Sequence, residues 1–208
     1  MTKVDIWNKA LAMLPHDRRV TAEDDGSTEA LRCADSWDDA RKSVICAAHW
    51  GFLVKATPVC KGSCMSGQPY KYFYPRPVGA VRLVGIFDQN GRRARANAYN
   101  GGLLSDCAAG SIRYIPDSED YDEWPQYFLN AVVATLAAKI AGNITGSNNT
   151  TAEMEGKAAV FLNDAKHLDA SELMNGGKDP DWISKSRNRT GVSFRLQRHD
   201  VGEDVYWT

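Results

Sequence analysis

Residues 124–168 read WPQYFLNAVVATLAAKIAGNITGSNNTTAEMEGKAAVFLNDAKHL, and this stretch decides the fold. Trp124, Phe128, Val132, Leu136 and Ile140 recur every fourth residue, and Leu129, Val133 and Ala137 widen the same face. A helix is therefore expected from Trp124 to about Ala141, with Pro125 in the first turn, where a missing amide hydrogen costs nothing. After a polar connection over 142–151, Ala158, Phe161, Leu162, Ala165 and Leu168 give an apolar side to a second helix, from Glu153 to about Leu168. Gly156 weakens that helix by about 1 kcal/mol relative to alanine. Two long helices joined by a short polar loop make an antiparallel hairpin.

Upstream, Val4, Trp7, Leu11 and Leu14 follow the helical period and Pro15 ends it, which sets a short first helix. Ser27 then offers a hydroxyl cap to a helix reaching Trp50. Ala30, Ala34, Trp37, Val44 and Ala48 supply the period of that helix, and Glu29, Asp35, Asp38, Asp39 and Lys42 its wet side. The core expected from these helices holds Trp7, Leu11, Trp37, Val44, Trp50, Trp124, Phe128, Val132, Leu136 and Phe161.

Between Gly51 and Pro116 the period changes to short runs broken by Gly, Pro and Asn. Phe52-Leu53-Val54, 70–74, 78–87 and 111–115 are strand candidates, Asn90-Gly91 is a tight turn, and 62–69 is a loop. Residues 171–208 fail both periodic tests until Val192-Ser193-Phe194-Arg195-Leu196, yet they contain Trp182, Tyr206 and Trp207, aromatic surface that is costly to leave in water. The reading is α+β: an antiparallel bundle of about four helices (1–50 and 117–170), an inserted small β-sheet region (51–116), and an extended C-terminal arm (171–208) that orders on a neighbour.

The 208 residues carry 25 Lys plus Arg against 26 Asp plus Glu, a formal net charge of -1, which argues against a dedicated nucleic-acid binder. No run approaches eighteen consecutive apolar residues, so no membrane span is expected. The N-terminus lacks the apolar core of a signal peptide. Five cysteines, an odd number in a chain large enough to build its own core, favour a reducing compartment.

The search for chemistry finds little. There is no dinucleotide fingerprint, P-loop, zincin helix or nucleophile elbow. Cys46, His49, Cys60 and Cys64 can be written as a zinc set, but the second knuckle is missing and small-residue packing explains Cys46 and His49 equally well. The run Glu119-Asp120-Tyr121-Asp122-Glu123 reads as charge favouring a helix N-terminus. Glu153 and Glu155, two apart on a helix, point in different directions. His49 falls near the end of a helix, where it favours the negative pole, and His16, His167 and His199 have no orienting carboxylate at a useful spacing. No catalytic residue, metal or cofactor is expected.

Charge distribution says more. Lys185, Arg187, Arg189, Arg195 and Arg198 form a basic run without an acid, whereas residues 20–39 are acid-rich with Arg32 as their only Lys or Arg. A basic arm and an acidic body can pair between copies and fix register. With Trp182, Phe194, Tyr206 and Trp207 as aromatic anchors, Arg187, Arg189, Arg195 and Arg198 are candidate oligomer or partner contacts. A second group, Arg76, Arg82, Arg92, Arg93 and Arg95, marks the β region as either a solvated sheet surface or a contact face.

The order of these features resembles the head-to-tail adaptor proteins of tailed bacteriophages, especially the tail tubular protein A (gatekeeper) type of short-tailed phages. In the opening stretch, Ala10-Leu11, Ala30, Cys33, Trp37, Arg41, Val44, Trp50 and Phe52 match the family's "naL" helix and its "a..c...y...r..vL....W.fa" segment. Further on, Tyr114, Tyr121, Trp124, Phe128, Leu136, Ala137, Ile140, Ala141 and Thr145 match its "l.Yi" strand and "d...fd..f..al...LA..lA..itg" helix. The matching portions cover about Ile6 to Leu168; Leu14-Pro15 stands where many relatives have a glycine.

The resemblance implies a virion neck or tail protein, assembled in the host cytoplasm, whose homo-oligomeric ring of twelve copies joins the portal protein to the distal tail or nozzle component. It also implies non-specific contact with phage DNA in a central channel. Two other functions compete with this one. An adaptor with added cell-wall hydrolase activity would draw on Glu119, Asp120, Asp122 and Glu123, whose linear clustering does not set the separation a glycosidic pair needs. A small DNA-binding or regulatory protein would bind through its arginine groups, with strong salt dependence.

Overall fold

The computed structural model describes residues 1–15, 17–59, 62–64 and 69–175. Four helices and a small antiparallel β region inserted between the second and third make an α+β fold. Helix α1 spans Lys3–Leu11 and opens on a reciprocal cap: the Asp5 amide donates to Thr2 Oγ1 at 3.2 Å and the Thr2 amide to Asp5 Oδ2 at 2.8 Å. It stops before Leu14 because the chain turns at Ala12, although Leu14 stays buried. Asn8 then fastens the returning loop, bonding both the amide and the carbonyl of Val20.

Helix α2 spans Thr28–Ala47, and Ser27 Oγ accepts from the Ala30 amide at 3.1 Å, the cap its sequence suggests. The strand expected at Phe52-Leu53-Val54 is instead a 3-10 turn over Gly51–Leu53. The physical reason lies on both sides of it. Trp50 Nε1 donates back to the Val44 carbonyl at 2.9 Å, folding the chain over the end of α2, and both carboxylate oxygens of Asp169 accept from the Gly51 amide.

The β region forms two sheets rather than one. Strands β1 (Lys55–Val59), β7 (Gly110–Pro116) and β4 (Ala80–Asp88) make the first, in the order β1-β7-β4. Strands β2 (Ser63–Cys64), β3 (Tyr72–Tyr74), β6 (Gly102–Ser105) and β5 (Ala96–Tyr99) make the second, in the order β2-β3-β6-β5. All pairings are antiparallel. The β5–β6 hairpin turns on Asn100-Gly101, both at positive φ (43° and 75°), as a two-residue connection requires.

Helix α3 covers Gln126–Thr145 and α4 covers Asn148–Asn175, so the fourth helix both starts earlier and ends later than its apolar period suggests. Gly146, left-handed at φ 65°, closes α3 and leaves a two-residue turn before α4. The helices run antiparallel, since the Tyr127 hydroxyl near the start of α3 reaches Asp169 and Glu172 near the end of α4. By length and composition α3 would pass for a membrane span, but 61% of its most apolar window is buried inside the protein, as befits a core helix.

One core joins the helices. Trp7, Leu11, Trp37, Val44, Trp50, Trp124, Phe128, Val132 and Leu136 all lie in it, together with Ile115 from β7. Edge-to-face contacts link Trp50, Phe52, Trp124 and Phe128 at centroid separations of 5.0–5.1 Å about Phe128, each worth about 0.5–1.5 kcal/mol beyond area burial. Phe161 is the exception among the expected core residues, at 37% exposed. The line of α4 that meets the core runs through Met154, Ala158, Leu162, Ala165 and Asp169, which leaves Phe161 and Leu168 on its flank. A smaller second cluster, Tyr74, Ile86, Leu103 and Ile112, fills the space between the sheets.

Candidate functional site

Three polar clamps fix the β region against the helices, two built on the buried charged side chains of Arg41 and Asp169 and one on half-buried Arg82. Arg41, on α2, is 1% exposed. Its guanidinium donates to Asp117 Oδ1 and to the Ser118 carbonyl (3.2 Å), and meets Asp38 at 3.2 Å and Glu119 at 3.0 Å. Lys42 adds a second cation within 3.2 Å of Asp38 and 3.8 Å of Asp117. A planar fork suits this multipoint grip better than a point charge. It ties α2 to the segment by which the chain leaves β7.

Arg82, on β4, makes the second clamp. Its Nη1 donates to the Cys46 carbonyl at 2.6 Å and the Ala48 carbonyl at 3.4 Å, so it caps the C-terminal end of α2. His49 lies beside it, Nε2 at 3.5 Å from Arg82 Nη2. Burial, then the charges of Arg82 and Arg93, push the His49 pKa down.

The third clamp is Asp169, 5% exposed on α4. Besides the Gly51 amide at 3.1 and 3.2 Å, it accepts from the Tyr127 hydroxyl at 3.3 Å, and the same hydroxyl donates to Glu172 Oε2 at 2.9 Å. Burial raises the Asp169 pKa, against the lowering effect of those hydrogen bonds. Burial and the two carboxylates drive the Tyr127 pKa upward as well. Leu173 completes the fit: a side chain at Gly51 would meet Leu173 Cδ2 at 2.6 Å.

The five sheet arginines divide. Arg76 donates to the carbonyls of Ala80 (2.9 Å) and Val81, and Arg93 donates to Val84 at 2.9 Å, so these two brace β4, while Arg82 caps α2. Arg92 and Arg95 are exposed. Sequence reasoning missed Arg113, which lies 3.9 Å over the Phe87 ring. It also passed over Asp169, whose only signal is a carboxylate on the apolar side of its helix.

The acidic segments are largely paired within the chain. Asp38 meets Arg41 and Lys42, Asp39 meets Lys139, Glu23 meets Lys3, and Asp122 meets the N-terminal amine at 2.7 Å. Glu119 sits on Arg41. Cys33 is buried, its thiol pushed up to about 12 by burial and by Glu29, whereas Cys46 and Cys64 are exposed. Among the described residues no group of three or more His, Cys, Asp or Glu side chains could hold a metal ion. Cys60, His16 and His199 lie outside the described residues, as do Trp182, Arg187, Arg189, Phe194, Arg195, Arg198, Tyr206 and Trp207.

No protein-family model matches the chain, and no curated protein sequence matches it.

Proposed function

We propose that the chain is a structural adaptor subunit whose copies form a ring joining a phage portal to the tail, with DNA passing through the channel. The observation that supports this reading is where the residues carrying the resemblance meet. Leu11, Ala30, Cys33, Trp37, Val44 and Trp50 from the first stretch, and Trp124, Phe128, Leu136, Ala137 and Ile140 from the second, lie in one core. Arg41, the charged member of the pattern, bridges the two stretches through Asp117 and Glu119. The intervening residues form the sheet region, which meets that core through Leu53, Val81 and Val84.

A ring subunit must present two faces at a fixed angle, one to each neighbour, because a heterologous contact closes only when the rotation between copies is constant. The clamps at Arg41, Arg82 and Asp169 supply that constancy. Copy number, twelve, and the portal and nozzle as partners come from the resemblance alone. The test is electron microscopy of the full-length protein mixed with the portal of the same virus. A ring stacked on the portal is the expected image; a chain that stays monomeric beside the portal, and is missing from assembled particles, overturns the reading.

A further inference from the structure

The edges of the two sheets differ in how they are finished. Strand β1 carries Pro58, which has no amide to offer, and begins at Lys55, both features that discourage a further strand. Along β4, the carbonyls of Ala80, Val81 and Val84 are taken by the Arg76 and Arg93 guanidiniums, and the Ile86 carbonyl by the Ala94 amide. Strand β5 has none of this cover. It pairs with β6 on one side, and no strand lies on its other side among the described residues.

The register says which groups the open edge offers. In a hairpin with a two-residue turn the flanking pair, Tyr99 and Gly102, exchanges hydrogen bonds, and so does Asn97 with Leu104. Ala96 and Ala98 therefore turn their amides and carbonyls outward. Beside them runs a groove of about 400 Å³ between β5 and β4, with Leu83, Val84, Ala96 and Leu103 in its lining together with Arg93 and Arg95. The Arg93 guanidinium lies across Gly85, its Nε 3.1 Å from where a side chain there would begin, and Leu83 and Val84 are only half-buried. The small core between the sheets is partly exposed along this side through Leu83, next to backbone with no partner strand among the described residues.

The chain contains a segment of matching chemistry beyond the described residues. Val192-Ser193-Phe194-Arg195-Leu196 alternates apolar and polar residues with the period of a strand that has one face covered. Residues 176–191, which separate it from the end of α4, span roughly 50 Å when extended, so the segment can reach β5 of its own subunit or of a neighbour. We propose that residues 192–196 add to the open edge of β5 as a further strand, with Val192, Phe194 and Leu196 in the groove. Main-chain bonds to Ala96 and Ala98 supply affinity, and the three apolar side chains supply selectivity, the division of labour of strand addition. Arg195 then falls on the opposite face of the sheet, where the Tyr99 ring is exposed. This pairing does not depend on ring assembly, since an isolated subunit can close on its own segment.

Hydrogen exchange read by mass spectrometry on the full-length protein tests it. In the wild type, peptides covering 94–100 and 190–198 are both protected. The Phe194→Asp variant, altered far from the helical core, exchanges in both peptides at least tenfold faster, with α3 unchanged; a synthetic peptide of residues 190–198 added to that variant restores protection at 94–100. Exchange at 94–100 that is the same in wild type and variant, or a wild-type 190–198 peptide exchanging at the unprotected rate, overturns the proposal.

Discussion

The helical body and the β region are stabilised in different ways. The body buries four tryptophans around Phe128 and the apolar face of α3, so its stability comes from area removed from water and from close packing. The β region has a smaller cluster of its own, Tyr74, Ile86, Leu103 and Ile112, and leans on polar fastenings: the Tyr74 hydroxyl to the Cys107 carbonyl, Ser105 Oγ to the Arg95 carbonyl, and the Arg76 and Arg93 guanidiniums to β4 carbonyls. Mass sits in one part and shaped surface in the other. An element held by a few directed bonds on a large rigid core keeps its orientation while its sequence is free to change, which suits a contact surface.

The largest effect is expected where the body's packing converges. Trp50→Ala removes a ring in contact with Phe52 and Phe128 and the bond to the Val44 carbonyl, and should cost about 3–5 kcal/mol in urea denaturation. A loss below about 1 kcal/mol would mean the aromatic cluster is not what holds the helices together.

Next comes the joint between the two parts. Arg41→Ala leaves Asp117, Asp38 and Glu119 facing one another without their shared cation. These carboxylates keep partial access to water, at 32%, 61% and 56% exposed, so the cost falls below that of a fully buried pair, at about 2–3 kcal/mol. Arg41→Lys should recover less than half of it, because one ammonium cannot span both Asp117 and Glu119. If lysine restores full stability, the fork geometry is irrelevant and only charge matters.

Within the β region, Leu103→Ala should cost about 2 kcal/mol and act locally. Amides of β5 and β6 should exchange faster while those of α3 do not, if the two clusters open independently. Equal acceleration in α3 would merge the two regions into one cooperative unit and dissolve the contrast between them.

These differences also explain what could be read from the chain alone. The helices were legible because a large shared core imposes a long, regular period, as from Trp124 to Ile140. Phe161 was misplaced because period alone gives a stripe, and only the partner helix decides where its centre lies; small residues, Ala158 and Ala165, took that centre and let α4 come close. Strands β5 and β6 escaped notice because Ala96-Asn97-Ala98-Tyr99 carries almost no alternation, leaving Asn100-Gly101 as the sole cue. The clamps were hidden for another reason. Arg41 is one position of a helical pattern and Asp169 lies just past the expected end of its helix, and their partners lie 76 and 118 residues away. No local rule connects such distances.

The smallest effect, and the one that separates orientation from bulk packing, concerns Asp169. Its pKa is raised in the folded state, so between the ordinary value of 3.8 and that higher value the folded chain binds more protons than the unfolded one. Stability through this group therefore falls as pH rises across that window, and is greatest below it. Asp169→Asn keeps an oxygen to accept from the Gly51 amide and the Tyr127 hydroxyl but cannot ionise, so it should change stability at pH 7 by less than about 1 kcal/mol. The same substitution should remove the downward slope contributed across the window, seen as a difference between wild-type and variant urea midpoints that varies with pH. Asp169→Ala, which leaves the Gly51 amide unmatched under Leu173, should instead lose stability at every pH. Should Asn and Ala behave alike, the carboxylate's hydrogen bonds contribute nothing to seating the 3-10 turn, and the position of the first sheet on the body must be set by apolar contact through Leu53 and Ile115.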